Sequence, residues 1–128
     1  MTKRQAWRVL VVDDYAAYRE TLQQVFAPDT RFIIVGEAAN GGEAIQIAAQ
    51  LHPSLVLMDM RLPDMNGLAA AEIIKRHQPQ IIIFILSSDW SPAYERRAKA
   101  VGIAARLAKQ TFSLEALYQL LEDSSGSD

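Results

Sequence analysis

The sequence contains no cysteine, no membrane-length apolar run and no excess of either charge. Without cysteine the chain forms no disulfide and no thiolate metal site, which fits a reducing compartment. Its apolar runs fall well short of the roughly 18 residues that span a bilayer. The 13 basic and 15 acidic residues give a net charge of −2, so direct binding to nucleic acid or to an anionic membrane is not expected. We expect a cytoplasmic protein.

The sequence does contain enough apolar residues for a core of its own. Half of its 128 residues are hydrophobic, which is sufficient for one domain of ordinary size. The basic start, Met1–Gln5, leads into an apolar run and then into acidic residues, so we predict a first strand there rather than a signal peptide. We place the domain at residues 1–123. Residues 124–128 form a polar tail or the start of a linker.

Five apolar runs of strand length alternate with helical patterns along the chain. The runs are Arg8–Val12, Phe32–Val35, Leu55–Met58, Ile81–Leu86 and Ala104–Ala108. The third and fourth runs are continuously apolar rather than alternating. Such runs are typical of parallel strands that are covered on both faces.

The segments between the runs have apolar residues at helical spacing. These groups are Tyr18, Leu22, Val25 and Phe26; Ala44, Ile47, Ala48 and Leu51; Ala70, Ile73 and Ile74; Ala93–Val101; and Leu114, Leu117, Tyr118 and Leu121. Helix N-caps are expected at four polar residues, and a helix end at a glycine: Asn40, Asn66, Ser91, Ser113 and Gly102. The pattern predicts five β–α repeats, hence an α/β fold with a parallel sheet.

Polar residues stand directly after four of the five predicted strands. Asp13 and Asp14 follow the first strand, Asp59 the third, Ser87 the fourth and Lys109 the fifth. Functional residues of open α/β sheets gather beyond the carboxyl ends of the strands. We therefore expect these five side chains to form one site.

This combination of residues favours phosphoryl chemistry at a metal. Clustered carboxylates repel one another unless a cation lies among them, and oxygen ligands without His or Cys favour Mg²⁺ or Mn²⁺. Lys109 and Ser87 would bind the oxygens of an anion. A carboxylate such as Asp59 can itself accept a phosphoryl group.

Three of these residues also have a simpler explanation. Asp14 alone would serve as an N-cap of the first helix, Ser87 as a loop residue and Lys109 as a surface lysine. All five at the appropriate strand ends are much harder to explain by chance.

The motifs around these residues resemble those of a known family. Val11-Val12-Asp13-Asp14 closes the first strand, and Asp59, Pro63 and Gly67 give the pattern D-x-x-x-P-x-x-x-G. With Ser87 and Lys109 at the usual intervals, nearly the whole chain resembles the receiver domain of two-component response regulators. The resemblance implies a flavodoxin-like, doubly wound, five-stranded parallel sheet of order 2-1-3-4-5 with five helices. That strand order is a known property of receivers as a class and comes here from the resemblance alone.

The resemblance also implies a role for each site residue. Asp59 resembles the phosphoacceptor and Lys109 the phosphate-binding lysine, while Ser87 resembles the switch hydroxyl. Asp13, Asp14 and Asp59 would bind Mg²⁺ (or Mn²⁺), and a further ligand would be one backbone carbonyl, that of Arg61.

The implied partners are those of a signalling protein. The phosphoryl donor would be a phosphohistidine on a sensor histidine kinase or a phosphotransfer protein, and a homodimer is possible. The chain would not be an enzyme acting on a separate substrate, although it would assist its own phosphorylation and dephosphorylation. The segment Phe32–Pro53 further resembles receivers joined to helix-turn-helix output domains.

Several positions depart from the family pattern or vary within it. Arg106 stands where receivers usually carry the aromatic ring that rotates with the switch hydroxyl. We expect Arg106 to point outward and the readout to run through loop rearrangement.

Arg61 and Asp89 would lie at the pocket mouth and tune phosphoryl lifetime, although a solvated Arg61 is an equal alternative. Gln110 replaces a common proline, so we expect a trans bond before it. Trp90 would pack on the fourth helix or mark a partner surface.

Three other functions compete with a phosphorylated switch. A flavodoxin-like cofactor domain would need a phosphate-binding loop where Asp13 and Asp14 stand. A phosphatase-type hydrolase would carry an acid at position 61, which is arginine here. The third alternative is a receiver that does not switch and acts as a phosphorylation-independent interaction module. This alternative is supported by Arg106, because it replaces the aromatic ring of the usual switch.

Overall fold

The computed structural model describes residues 5–125. Its strands are β1 Trp7–Val12, β2 Phe32–Ala38, β3 Leu55–Asp59, β4 Ile82–Leu86 and β5 Ala105–Leu107. Its α-helices are α1 Ala16–Phe26, α2 Gly41–Leu51, α3 Gly67–His77, α4 Pro92–Val101 and α5 Leu114–Ser125, and a 3-10 turn covers Lys109–Thr111. No helix in the described part of the chain is long and apolar enough to cross a bilayer.

The five strands form one parallel sheet of order β2-β1-β3-β4-β5, as predicted. Successive side chains of a strand point to opposite faces, and here both faces are covered. Leu10, Val56 and Ile83 pack in a cluster with α2 and α3. Val9 and Leu57 pack in a second cluster with residues of α1 and α5. The continuous apolar runs therefore reflect two-sided burial.

The observed elements differ from the predicted ones mainly at their ends. Strand β2 continues to Ala38, past Gly36, because pairing with β1 resumes after a register shift between Val9 and Leu10. Helix α5 reaches Ser125, so the first two residues of the predicted tail are helical. The rest of that tail, residues 126–128, lies outside the described residues, as does most of the basic start.

The predicted helix caps are confirmed. The side chains of four residues each accept a hydrogen bond from the backbone N–H three residues later, at 2.8–3.1 Å: Asn40, Asn66, Ser91 and Ser113. Gly102 ends α4 with a φ of 93°, the left-handed conformation that favours glycine.

A further cap of α2 comes from the loop after β3. The two carboxylate oxygens of Asp64 accept hydrogen bonds from the N–H groups of Gly41 and Gly42, at 2.8 and 2.9 Å. This contact joins the loop after Asp59 to the start of α2. The sequence alone does not predict it, because the partners are more than 20 residues apart.

Gly67 allows α3 to begin against the end of β3. A Cβ atom at this position would lie 2.2 Å from the backbone oxygen of Asp59. The Gly67 N–H donates to the carbonyl of Met60 at 2.7 Å. The glycine of the sequence motif therefore serves close backbone approach beside Asp59.

Candidate functional site

The five predicted site residues meet at the carboxyl edge of the sheet. Asp13 is fully buried, Asp59 and Ser87 are 8% and 5% exposed, and Asp14 is exposed. They adjoin an open pocket of about 450 Å³. Its lining residues are Asp14, Tyr15, Asp59, Met60, Arg61, Ser87, Ser88, Asp89 and Lys109.

Three carboxylates share this edge with one lysine. One oxygen from each of Asp13, Asp14 and Asp59 lies within 4.8 Å of the others. Lys109 Nζ lies 2.5 Å from Asp13 Oδ2 and 3.5 Å from Asp59 Oδ2. One positive charge leaves two of the three negative charges uncompensated. An all-oxygen donor set with this charge fits a Mg²⁺ ion.

Burial and neighbouring charges shift the pKa values of the site. Burial raises the pKa of Asp59, and the charge of Asp13 adds to this effect, while Lys109 opposes it. Burial lowers the pKa of Lys109, but its close contact with Asp13 and the charge of Asp59 outweigh burial and raise that pKa overall. Lys109 therefore remains a cation, and a further cation beside Asp59 would favour the ionised form of its buried carboxylate.

Asp13 is held in place by backbone and side-chain donors. The Tyr15 N–H donates to Asp13 Oδ1 at 2.8 Å, and Arg19 Nη1 donates to the Asp13 carbonyl at 2.6 Å. Arg19 also pairs with Glu37 at 2.9 Å. Arg19 is not among the site residues predicted from the sequence. In the sequence, the only indication of this role is that Arg19 is a basic residue one turn into the helix that follows Asp13 and Asp14.

Asp14 does not cap the first helix. The N-cap residue of α1 is Tyr15, and no side chain accepts a capping hydrogen bond there. The simpler explanation of Asp14 as a helix cap is therefore wrong. Its carboxylate lines the pocket instead.

The hydroxyl of Ser87 is engaged with its own loop. Ser87 Oγ accepts a hydrogen bond from the Asp89 N–H at 3.2 Å and donates one to the Asp89 carbonyl. The Ser87 N–H donates to the carbonyl of Leu107 in β5 at 3.0 Å. Any turn of this hydroxyl toward Asp59 must therefore release the backbone of the β4–α4 loop.

Arg61 and Asp89 form an ion pair across the pocket mouth. Arg61 Nη2 lies 2.8 Å from Asp89 Oδ2, and the two side chains are 77% and 68% exposed. The pair joins the loop after β3 to the loop after β4. Exposed pairs contribute at most about 1 kcal/mol, so this contact can open easily.

Arg106 lies in β5, is exposed and contacts Trp90. Its guanidinium carbon is 5.7 Å from the centre of the Trp90 ring. Trp90 packs at 5.8 Å on the ring of Tyr94 in α4 and donates to Glu95 at 2.7 Å. Trp90 therefore packs on the fourth helix, which is the first of the two predicted alternatives. The bond between Lys109 and Gln110 is trans, as predicted.

Comparison with known proteins agrees with this geometry. The family model of the response regulator receiver domain matches residues 9–122. The chain belongs to this family. Its sheet order and its acidic strand ends are those that the resemblance implied.

Particular relatives and structures support the same assignment. The response regulator protein VraR of Staphylococcus aureus is 36% identical over 104 residues, which cover 81% of this chain and 50% of VraR. The transcriptional regulatory protein YdfI of Bacillus subtilis is 42% identical over 77 residues, covering 59% of this chain and 36% of YdfI. The chain thus spans half or less of these relatives.

A solved receiver domain has the same fold. The signal receiver domain of the putative response regulator NarL from Mycobacterium tuberculosis superimposes with a TM-score of 0.85 at 26% identity. The match covers 97% of this chain and 100% of that one.

The raised pKa of Asp59 leads to a prediction about stability. Asp59→Asn should raise the midpoint of thermal unfolding at neutral pH in metal-free buffer, because it removes a carboxylate whose charge is disfavoured by burial. A carboxyl whose pKa rises on folding does not reduce stability below its ordinary pKa, because it is then protonated in both the folded and the unfolded state. The increase in the unfolding midpoint of Asp59→Asn should therefore be small below the ordinary aspartate pKa and grow as the pH rises through the pKa of Asp59 in the folded protein. Melting curves over that range measure it.

Asp64→Asn is the matched control with the opposite sign. Hydrogen bonds from the Gly41 and Gly42 N–H groups lower the pKa of Asp64. Its stabilising effect is present above the ordinary aspartate pKa and is lost as the pH falls through its folded pKa. Asp64→Asn should therefore lower the midpoint at neutral pH. A shift of the same sign in both variants would contradict the assignment.

Proposed function

We propose that the chain is a phosphorylation-dependent signalling switch in the cytoplasm. Asp59 accepts a phosphoryl group from a phosphohistidine of a sensor histidine kinase or a phosphotransfer protein. The observation that carries the proposal is the position of Asp59, buried at the end of β3 with Lys109 Nζ at 3.5 Å and two further carboxylates beside it.

The chemistry divides among a few groups. An oxygen of Asp59 forms the bond to phosphorus as the P–N bond of the donor breaks. Lys109 neutralises charge on the phosphoryl oxygens, and Ser87 donates a hydrogen bond to one of them. Asp13, Asp14, Asp59 and the Arg61 carbonyl would hold Mg²⁺ or Mn²⁺, which supplies further charge neutralisation. Attack by water on the aspartyl phosphate later breaks the bond between Asp59 and phosphorus, releases inorganic phosphate and restores the Asp59 carboxylate.

The readout runs through the loop that Ser87 now holds. When Ser87 Oγ turns to the phosphoryl group, its hydrogen bonds to Asp89 are lost. Trp90 follows Asp89 in that loop and contacts Arg106. The resulting change in the β4–α4 loop alters the surface that the domain offers to an output domain, to a partner or to a second copy of the chain. The name of YdfI favours a transcriptional output, with DNA bound outside this chain.

A second candidate function is a receiver that works without phosphate as an interaction module. The observation that favours it is Arg106, which is exposed and occupies the position of the usual rotating ring. The two functions differ in whether an adduct forms at Asp59.

The first prediction of this proposal is an adduct at Asp59. Wild-type protein with Mg²⁺ and acetyl phosphate should gain one labile phosphoryl group by intact mass, and beryllofluoride should change Trp90 fluorescence in a Trp7→Phe background. Asp59→Asn, or chelation of the metal, should abolish both signals. Neither signal in the wild type would instead support the interaction module.

The second prediction concerns the pocket mouth. Arg61→Ala should shorten the lifetime of the adduct by up to about fivefold, the rate equivalent of an ion pair of about 1 kcal/mol, because water reaches the phosphoryl group more readily. Asp89→Ala breaks the same pair and should act alike. Arg76→Ala breaks an exposed pair with Glu72 on α3 and is the control. A solvated Arg61 without function predicts equal lifetimes in all variants.

The third prediction concerns Arg106. Arg106→Ala should leave adduct formation intact, because its side chain lies outside the pocket lining. It should alter partner binding or dimerisation of the phosphorylated form, measured by sedimentation, and reduce the Trp90 signal. Arg96→Ala, at an exposed position on α4, is the control. Loss of the adduct in Arg106→Ala would show that this account of the readout is wrong.

A further inference from the structure

The side chain of Tyr18 lies against the phosphate-binding lysine of the site. Lys109 Nζ is 4.6 Å from the centre of the Tyr18 ring, within the range of a cation–π contact. We propose that Tyr18 is a positioning residue that holds the Lys109 ammonium in place for the phosphoryl group. This inference rests on the proposed function in so far as Lys109 binds that group.

Two carboxylates and one aromatic ring contact the ammonium. Asp13 Oδ2 lies at 2.5 Å, Asp59 Oδ2 at 3.5 Å and the Tyr18 ring at 4.6 Å. A lysine needs such support, because its long stem is flexible and its charge is strongly hydrated. The residues around it supply little backbone restraint, since Lys109–Thr111 is a single 3-10 turn.

The ring of Tyr18, rather than its hydroxyl, carries this role. The hydroxyl oxygen is buried and has no hydrogen-bond partner among residues 5–125. Burial raises the pKa of Tyr18, so the phenol is neutral and its ring face attracts a cation through its quadrupole. The ring packs with Leu22 and Phe26 on the core side of α1, where the helix keeps it fixed.

A fixed ammonium lowers the cost of binding a phosphoryl group. Its Nζ is already 3.5 Å from the carboxylate oxygen of Asp59, to which the group would be attached. Ordering a flexible side chain at the moment of binding weakens affinity, and ordering it beforehand avoids that loss. Without the ring, Lys109 would keep its two carboxylate partners but lose the contact that restrains it on a third side.

The first test uses metal-free protein and measures how readily Lys109 is acetylated, relative to the exposed Lys99, by mass spectrometry. Tyr18→Leu should accelerate labelling of Lys109 by between about fivefold and about thirtyfold, the equivalent of a partly to fully desolvated cation–π contact. Tyr18→Phe should label like the wild type. Its melting midpoint should equal or exceed that of the wild type, because it removes a buried unpaired hydroxyl. Tyr18→Met replaces Tyr18→Leu if the latter does not fold.

Tyr118→Leu is the matched control. Its ring packs in the same core cluster and lies 4.1 Å from the guanidinium carbon of Arg31, so the variant also loses an aromatic ring and a cation–π contact. It should leave Lys109 labelling unchanged. Equal acceleration in Tyr18→Leu and Tyr118→Leu would show a general loosening and overturn the proposal, as would wild-type labelling in Tyr18→Leu. Acceleration in Tyr18→Phe would place the effect on the hydroxyl and also overturn it.

The second test measures beryllofluoride affinity in the presence of Mg²⁺. Tyr18→Leu should weaken it within the same range, and Tyr18→Phe should restore it. In a Lys109→Ala background the two variants should bind equally, because Tyr18 acts through Lys109. A difference that persists there overturns the proposal. If the wild type binds no beryllofluoride, the proposed function fails, while the labelling of Lys109 still decides the role of Tyr18.

Discussion

The repulsion among three carboxylates at one edge of the sheet is the constraint on which the site depends. Two of them, Asp13 and Asp59, are buried, where the protein interior screens charge less than water does. Lys109 supplies one positive charge to this group. The arrangement is stable enough to fold yet remains short of positive charge. The two positive charges of a divalent cation would offset the two negative charges that Lys109 leaves uncompensated, and the bound cation would then help to neutralise an incoming phosphoryl group.

The parallel sheet makes that cluster possible without distorting the core. Strands β1 and β3 are hydrogen-bonded neighbours, so the residues that end them lie side by side. The apolar residues of these strands lie in the two core clusters. The polar residues at the strand ends lie at the carboxyl edge of the sheet. Gly67 then lets α3 start against the Asp59 carbonyl. The acidic residues and Ser87 thus lie at the ends of buried apolar strands, whereas Lys109 follows the short and only partly buried β5.

Much of this arrangement could be predicted from local sequence patterns. The order of elements and the caps at Asn40 and Ser91 follow from short-range chemistry, and the strand-end position of Asp59 follows from the run before it. The contacts of Arg19, Tyr18 and Asp64 could not be predicted, because they depend on helix phase and loop path. In the sequence, a tyrosine at helical spacing is equally consistent with a core residue and with a ring that contacts a lysine side chain. Only the position of Lys109 separates these explanations.

In the proposed switch, the arginine at position 106 changes the route by which phosphorylation reaches the output surface rather than removing it. The family resemblance implies an aromatic ring at this position that rotates with the switch hydroxyl. Here the hydroxyl of Ser87 is hydrogen-bonded to the backbone of Asp89, and the next residue, Trp90, contacts Arg106. In the proposed switch, a movement of Ser87 would reach β5 through the backbone of the β4–α4 loop. The aromatic ring on this route is Trp90 in that loop, and β5 contributes the charged Arg106 that contacts it.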